Sequence, residues 1–189
     1  METTGLLFQR YGYTGTGLKQ IVAAANAPFG SIYHHFPNGK AQLGEEVIRR
    51  SGEMYRDLFE AIFDASPDVA SATSNFFLGA AETLRQTDYA DACPIETVAL
   101  EVASSNEQLR RATADVFESW IEAGTDRLRA AGIPEDEARR LTIVFLSALE
   151  GAFVLCRASK STEALEVAGD YMTAAVREAL AGNQTAIRP

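Results

Sequence analysis

The sequence predicts an all-α fold in which a segment of short helices precedes a larger body of long ones, and three observations predict it. Apolar residues recur with the 3.6-residue helical period through most of residues 41–189. No stretch alternates with the two-residue period of a half-buried strand. Gly12, Gly15, Gly17, Gly30 and Gly39 cut the first 40 residues into short pieces. With 189 residues, 47% hydrophobic and 23% charged, the chain is long enough to bury a core and has ordinary globular composition.

Each element follows from its own residues. Thr16 is placed to cap a helix of about eight residues that turns Leu18, Ile21 and Val22 inward. Asn26 takes the turn after it, because asparagine tolerates the left-handed conformation. Pro28 opens a second short helix over residues 29–36. Two short helices across a tight turn read as a helix-turn-helix; a small helical hairpin that only packs has the same pattern. Leu43, Val47, Met54, Leu58 and Ile62, flanked by Ile48, Tyr55, Phe59 and Phe63, then form one wide apolar face on a helix of about 25 residues. Pro67 breaks it within residues 64–68, and another helix runs to Gln86. Residues 87–94 read as a loop, with a helix start near Pro94. Ser104 and Glu107 fit a capping box that opens a long helix through Phe117, Trp120, Ile121, Thr125 and Leu128 to Gly132. Pro134 then sits at a first helical position, followed by Glu135, Asp136 and Glu137, which complement the helix dipole. That helix runs to about Ala158. A last one, over about residues 162–181, is expected to stop at Gly182 and Asn183.

Composition excludes several functions. Two cysteines, Cys93 and Cys156, make neither a disulfide framework nor a cysteine-rich zinc site. The two histidines, His34 and His35, are adjacent, and none follows. There is no Ser-His-Asp set, phosphate-cradling glycine loop or metal cluster, so the expectation is no enzyme, no metal and no cofactor. Net charge is −9 but unevenly spread. Residues 1–50 carry five basic and three acidic side chains; the remainder carries the whole negative excess. Only the N-terminal segment would not repel a polyanion. Residues 1–20 lack the pattern of a secretory signal. The most apolar stretch, residues 141–156, contains Glu150 and falls short of the roughly 20 residues a membrane span needs. The expectation is a soluble, cytoplasmic protein with reduced thiols and no membrane partner.

The N-terminal motif is more specific than any of its pieces. Gly12-Tyr13, Thr16, Ile21, Ala25, the run from Gly30 to Phe36 (GSIYHHF), Lys40 and Leu43 resemble, in order and spacing, the DNA-binding domain of the TetR/AcrR family of transcriptional regulators. The wording PFGSIYHHFPNGK over residues 28–40 and CPIETVALE over residues 93–101 is similar to the LmrA/YxaF-like branch. The resemblance implies a DNA-binding domain in residues 1–45 and an all-helical effector-binding and dimerisation domain in residues 46–189. The second short helix becomes the recognition helix of the major groove. Its implied contacts are Pro28, Phe29, Gly30 for close backbone approach, Ser31 for a phosphate or base edge, and Tyr33 and His34 for phosphate. Thr16 at a helix start and Lys40 add further phosphate contacts. Ile32 and Phe36 are expected in the core, and His35 in a packing or capping role.

Two departures stand out. Phe29 occupies a position usually polar or basic in the family, where an aromatic ring meets thymine methyls or alters DNA preference. Only Met1–Gly5 precede Leu6, Leu7 and Phe8, where the family carries a longer basic arm; weakened DNA binding is the expectation that follows.

For the rest of the chain the resemblance implies a homodimer built by the two final helices and a pocket between the long ones. The dimer face expected is Ile143, Ser147, Gly151 and Val154 with Ala168, Met172, Ala175 and Val176. The pocket candidates are Tyr55, Phe59, Phe76, Phe77, Phe117, Trp120 and Phe145, with Glu96 and Thr125 as polar anchors. The implied effector is small, apolar and aromatic, and its binding releases a repressor from a palindromic double-stranded DNA operator. The alternatives are a thiol-based redox sensor using Cys93 near a helix start, or a helical dimer with weakened DNA binding.

Overall fold

A computed structural model describes residues 1–91 and 93–186, which form nine helices and no strand. In chain order these are α1 (Glu2–Gly15), α2 (Leu18–Ala24), α3 (Ser31–His35), α4 (Lys40–Ala65), α5 (Val69–Gln86), α6 (Pro94–Val102), α7 (Glu107–Ala130), α8 (Glu135–Ser159) and α9 (Glu163–Ala186). The chain divides into two compact units. One comprises Met1–Tyr55 and Asp91–Phe117; the other comprises Arg56–Ala90 and the chain from Glu118 onward.

In the first unit α1 packs against α2 and α6. Phe8, Ile21, Val22, Ile32, Leu43, Val47, Ile48, Ile95, Val98, Val102 and Leu109 are among its buried apolar side chains. The start of α7 corrects the sequence reading. Asn106 Oδ1, not Ser104, accepts the first-turn N–H of Leu109 at 3.1 Å. Ser105 instead serves the turn after α6, donating back to Glu101 O at 3.3 Å. The capping residue is therefore the last one before the helix that has a side-chain acceptor to offer.

In the second unit Asp68 caps α5, accepting from Ser71 N at 2.8 Å. The break at Pro67 falls where its missing N–H predicts. Pro134 sits just ahead of α8, with Glu135, Asp136 and Glu137 in the first turn. Lys160, at φ 51°, ends α8 in the left-handed conformation. The helix α9 runs through Gly182 to Ala186, past the expected stop. A Cβ at Gly182 would meet open space and its φ is not positive, so this glycine makes no left-handed cap.

Phe77, Ala81 and Leu84 of α5, Leu149, Ala152 and Cys156 of α8, and Leu165 and Met172 of α9 form one buried cluster. Ala70, Leu128, Ile133, Ala138, Val176 and Ala179 form another. Two glycines make the packing testable. A Cβ at Gly169 would lie 2.7 Å from Phe77 Cβ, and Phe77 is itself held against the Phe145 ring, centroids 5.0 Å apart. G169A should destabilise by about 1–3 kcal/mol through overpacking, despite better helix propensity. At Gly79 of α5 nothing lies within 4 Å, so G79A should stabilise by about 0.5–1 kcal/mol. Urea titration of the two variants checks the opposite signs.

The helix α8 has the expected extent and reaches beyond its apolar stretch at both ends. It holds the only window among the described residues long and apolar enough to cross a membrane, yet only 22% of that window is buried. Its inner face joins the core through Ala138, Thr142, Leu149, Ala152 and Cys156. Its outer face, with Ile143, Val144, Val154 and Leu155, is exposed and apolar.

Candidate functional site

The α2–α3 pair is built around three anchors. Ile21, Val22 and Ile32 are buried, and Asn26, at φ 50°, makes the turn between the helices. The helix α3 is shorter than expected: it begins at Ser31, with Gly30 at the cap position, and spans five residues. Anchoring Ile32 turns the other side of this segment outward. Pro28, Phe29, Gly30, Tyr33 and His34 are exposed and Ser31 is half-buried. Five of the eight DNA-contact candidates are thus exposed. His35 is exposed too, its ring 5.0 Å from that of His34 and 6.4 Å from that of Phe36. Phe36 is half-buried.

Thr16 is corrected. It is 0% exposed, and the cap position of α2 falls on Gly17 with no side-chain bond. The Thr16 hydroxyl turns back into α1, donating to Gly12 O at 2.7 Å with Leu7 O at 3.3 Å. The cause is a break in α1, where Gly12 has φ 71° and ψ 174°. Such a break strands backbone groups that an intact helix would pair.

Three side chains from three places satisfy the broken turn. Thr16 takes the Gly12 carbonyl. Glu101 of α6 accepts from Thr14 N at 2.6 Å. Lys40, the first residue of α4, donates from Nζ to Tyr13 O at 2.6 Å and lies 4.2 Å from the Tyr13 ring centroid. Burial pushes the Lys40 ammonium below its usual pKa, and the Glu101 carboxylate opposes that shift. Burial also pushes the Tyr13 phenol up. The Lys40 amine is thus engaged within the protein as well as being a candidate phosphate contact. Sequence reasoning missed Glu101: it lies 89 positions from Gly12 in a separate motif, and no local spacing joins them.

In the second unit, five rings converge. Phe59 and Phe63 of α4 have centroids 4.2 Å apart. Phe76 lies 5.7 Å from Phe59 and 5.4 Å from Phe145; Phe77 lies 5.0 Å from Phe145. At these separations the rings pack on one another. Four pocket candidates, Phe59, Phe76, Phe77 and Phe145, are therefore together, with Phe63 added. Trp120 is half-buried on α7 in the same unit; Thr125 is buried there and donates its hydroxyl to Ile121 O at 2.6 Å. Tyr55, Glu96 and Phe117 belong to the first unit. A groove of about 540 Å³ lies elsewhere, between Pro134, Glu137 and Leu141 of the α8 end and Ala175, Glu178, Ala179 and Gly182 of α9.

The dimer-face candidates divide. Ile143, Ser147, Gly151 and Val154 are exposed along one side of α8. On α9, Ala168 and Ala175 are half-buried. Met172 and Val176 are corrected: at 4% and 2% exposure they belong to the core. The helix α9 has two apolar stripes, and the outward one carries Val167, Tyr171 and Ala174. Helical period identifies stripes but does not say which faces the core.

Cys93 is half-buried at the cap of α6, its Sγ accepting from Glu96 N at 3.5 Å, and Cys156 is buried. Among the described residues no group of three or more acidic, histidine or cysteine side chains is arranged to hold a metal.

Residues 2–47 match the family described as bacterial regulatory proteins, tetR family. Residues 69–171 match the C-terminal domain of LmrA/YxaF-like transcriptional regulators. The chain is 33% identical to the HTH-type transcriptional regulator YxaF of Bacillus subtilis over 178 residues, 94% of this chain and 93% of that one. It is 31% identical to the HTH-type transcriptional regulator LmrA of the same organism, over 84% of this chain and 85% of that one. In fold it is similar to the regulatory protein TetR from Rhodobacter sphaeroides, with a TM-score of 0.82 and 20% identity over 92% of this chain and 95% of that one.

Proposed function

Because this chain belongs to the TetR family of DNA-binding transcriptional regulators, which are not enzymes, we propose that it is a cytoplasmic, effector-released repressor that binds a palindromic operator as a homodimer. One observation carries the DNA reading: beside the buried Ile32, Phe29, Gly30, Tyr33 and His34 are all exposed. A five-residue helix covers one major-groove half-site, so a two-fold pair reads a palindrome. The dimer face is Ile143, Ser147, Gly151 and Val154 of α8 with Val167 and Tyr171 of α9, all exposed in the single chain.

The effector site centres on Phe59, Phe63, Phe76, Phe77 and Phe145. These rings lie with neighbouring centroids 4.2–5.7 Å apart, and an apolar aromatic effector would stack against them. A population shift follows only from a difference in effector affinity between two states. A coupling of about 1–3 kcal/mol, 5- to 150-fold in operator affinity, suffices for regulation.

The test is fluorescence anisotropy of a duplex from upstream of the protein's own gene, beside a scrambled duplex, at two salt concentrations. The expected result is sequence-dependent binding that weakens steeply with salt and is reversed by apolar aromatic compounds. Binding with no preference for any genomic duplex over the scrambled one would overturn the operator reading and favour a helical dimer with weakened DNA binding. Release by oxidant that C93S abolishes, with no release by aromatic compounds, would replace the effector reading with a thiol switch.

A further inference from the structure

We propose that Phe29, braced by Tyr33, determines operator specificity by reading the C5-methyl group of a thymine; this rests on the α3 face docking in the major groove. Polar readout from that face is sparse. Residues 28–36 contain no Arg, Lys, Asn or Gln, the side chains that read guanine and adenine edges bidentately. The Ser31 hydroxyl donates its hydrogen to Pro28 O at 2.7 Å. Hydrogen-bonding reach is left to Tyr33 and to His34 and His35.

The segment presents apolar surface instead. Phe29 is 45% exposed and Tyr33 53% exposed. Their rings meet edge to face, centroids 6.2 Å apart and planes at 67°, which limits the orientations Phe29 samples. Phe29 lies two residues ahead of α3, at the leading end of the helix, and recognition helices meet base edges with their N-terminal residues. Beside it, nothing lies within 4 Å of where a Gly30 Cβ would stand, so the backbone there can approach a ligand closely. Within the major groove the thymine methyl is the apolar feature that distinguishes one base pair from the others. An exposed ring without a polar tip at this position has that methyl as its complementary partner.

The experiment starts from a duplex selected out of a randomised pool by the wild-type protein. Each thymine of the selected half-site is then replaced by deoxyuridine, which keeps the base pairing and removes only the methyl group. At one thymine position, wild-type affinity should fall about four-fold when one half-site is altered, the effect of exposing one methyl-sized apolar group, and about fifteen-fold when both are. F29A should bind the thymine and uracil duplexes equally, with the helical content and salt slope of the wild type. F29L, which keeps apolar bulk, should retain part of the discrimination. No loss at any thymine, or an unchanged thymine preference in F29A, overturns the assignment. Selection that enriches no sequence sinks the DNA-docking reading, and this assignment with it. Enrichment of a motif indifferent to its methyl groups sinks the assignment alone.

Discussion

Alanine at Gly12 is expected to destabilise the unit that carries the α2–α3 pair by about 2.5–6 kcal/mol, a large share of the 5–15 kcal/mol of a typical domain. Two effects add. A non-glycine residue held at φ 71° and ψ 174°, a region open essentially to glycine alone, costs about 1–3 kcal/mol. The new Cβ also overlaps Glu101 Oε1, so the carboxylate must withdraw from Thr14 N. A hydrogen bond to a charged group is worth about 1.5–3 kcal/mol. Lys40 then stays half-buried beside Tyr13 with a displaced counter-charge. A double-mutant cycle with E101A isolates the second effect. If the carboxylate is what the methyl group strikes, G12A made in the E101A background should cost only the backbone strain. The two changes should then be non-additive by about 1–3 kcal/mol, measured by urea titration. Strict additivity would show that Glu101 does not close the break in α1. Both variants should also weaken operator binding, because Thr16 and Lys40 hold the start of α2 and of α4 to the same broken turn.

The limits of the sequence reading have the same physical origin. Elements specified by local chemistry were readable: the apolar face of α4, the Pro67 break, the Pro134 start of α8, and the left-handed Asn26. The motif from Gly12 to Leu43 pointed to the family because its parts sit close together in the chain. What depended on partners far along the chain was not readable. Thr16 looked like a cap for the helix after it, and the structure instead commits its hydroxyl to the helix before it. Glu101 meets Thr14 across 87 positions. Met172 and Val176 share the helical period with a true outward stripe, and only packing against α5 and α8 tells the two apart. The aromatic residues of α4, α5 and α8 were readable as a set, whereas their closure into one cluster required the tertiary fold.

The α8 face supplies the other large effect. V154E is expected to convert the dimer to monomer at micromolar concentration and to reduce operator affinity by about 10²–10⁴-fold, the avidity lost when two half-sites are no longer linked. Val154 is 50% exposed in the single chain, and its neighbour Leu155 is 61% exposed, so the glutamate should leave the monomer fold intact. Across a two-fold interface the charge would be buried, and a buried carboxylate without a partner disrupts association. A matched control separates interface from core. M172E places the same charge at a residue only 4% exposed, packed with Phe77, Leu149 and Leu165, and should unfold the second unit. Light scattering and urea titration distinguish the two failures. Monomeric, folded V154E beside unfolded M172E would place the interface on the outward faces of α8 and α9. A V154E protein that stays dimeric and binds operator normally would mean that the apolar outer face of α8 is covered by something other than a second copy. The dimer would then have to form through different helices.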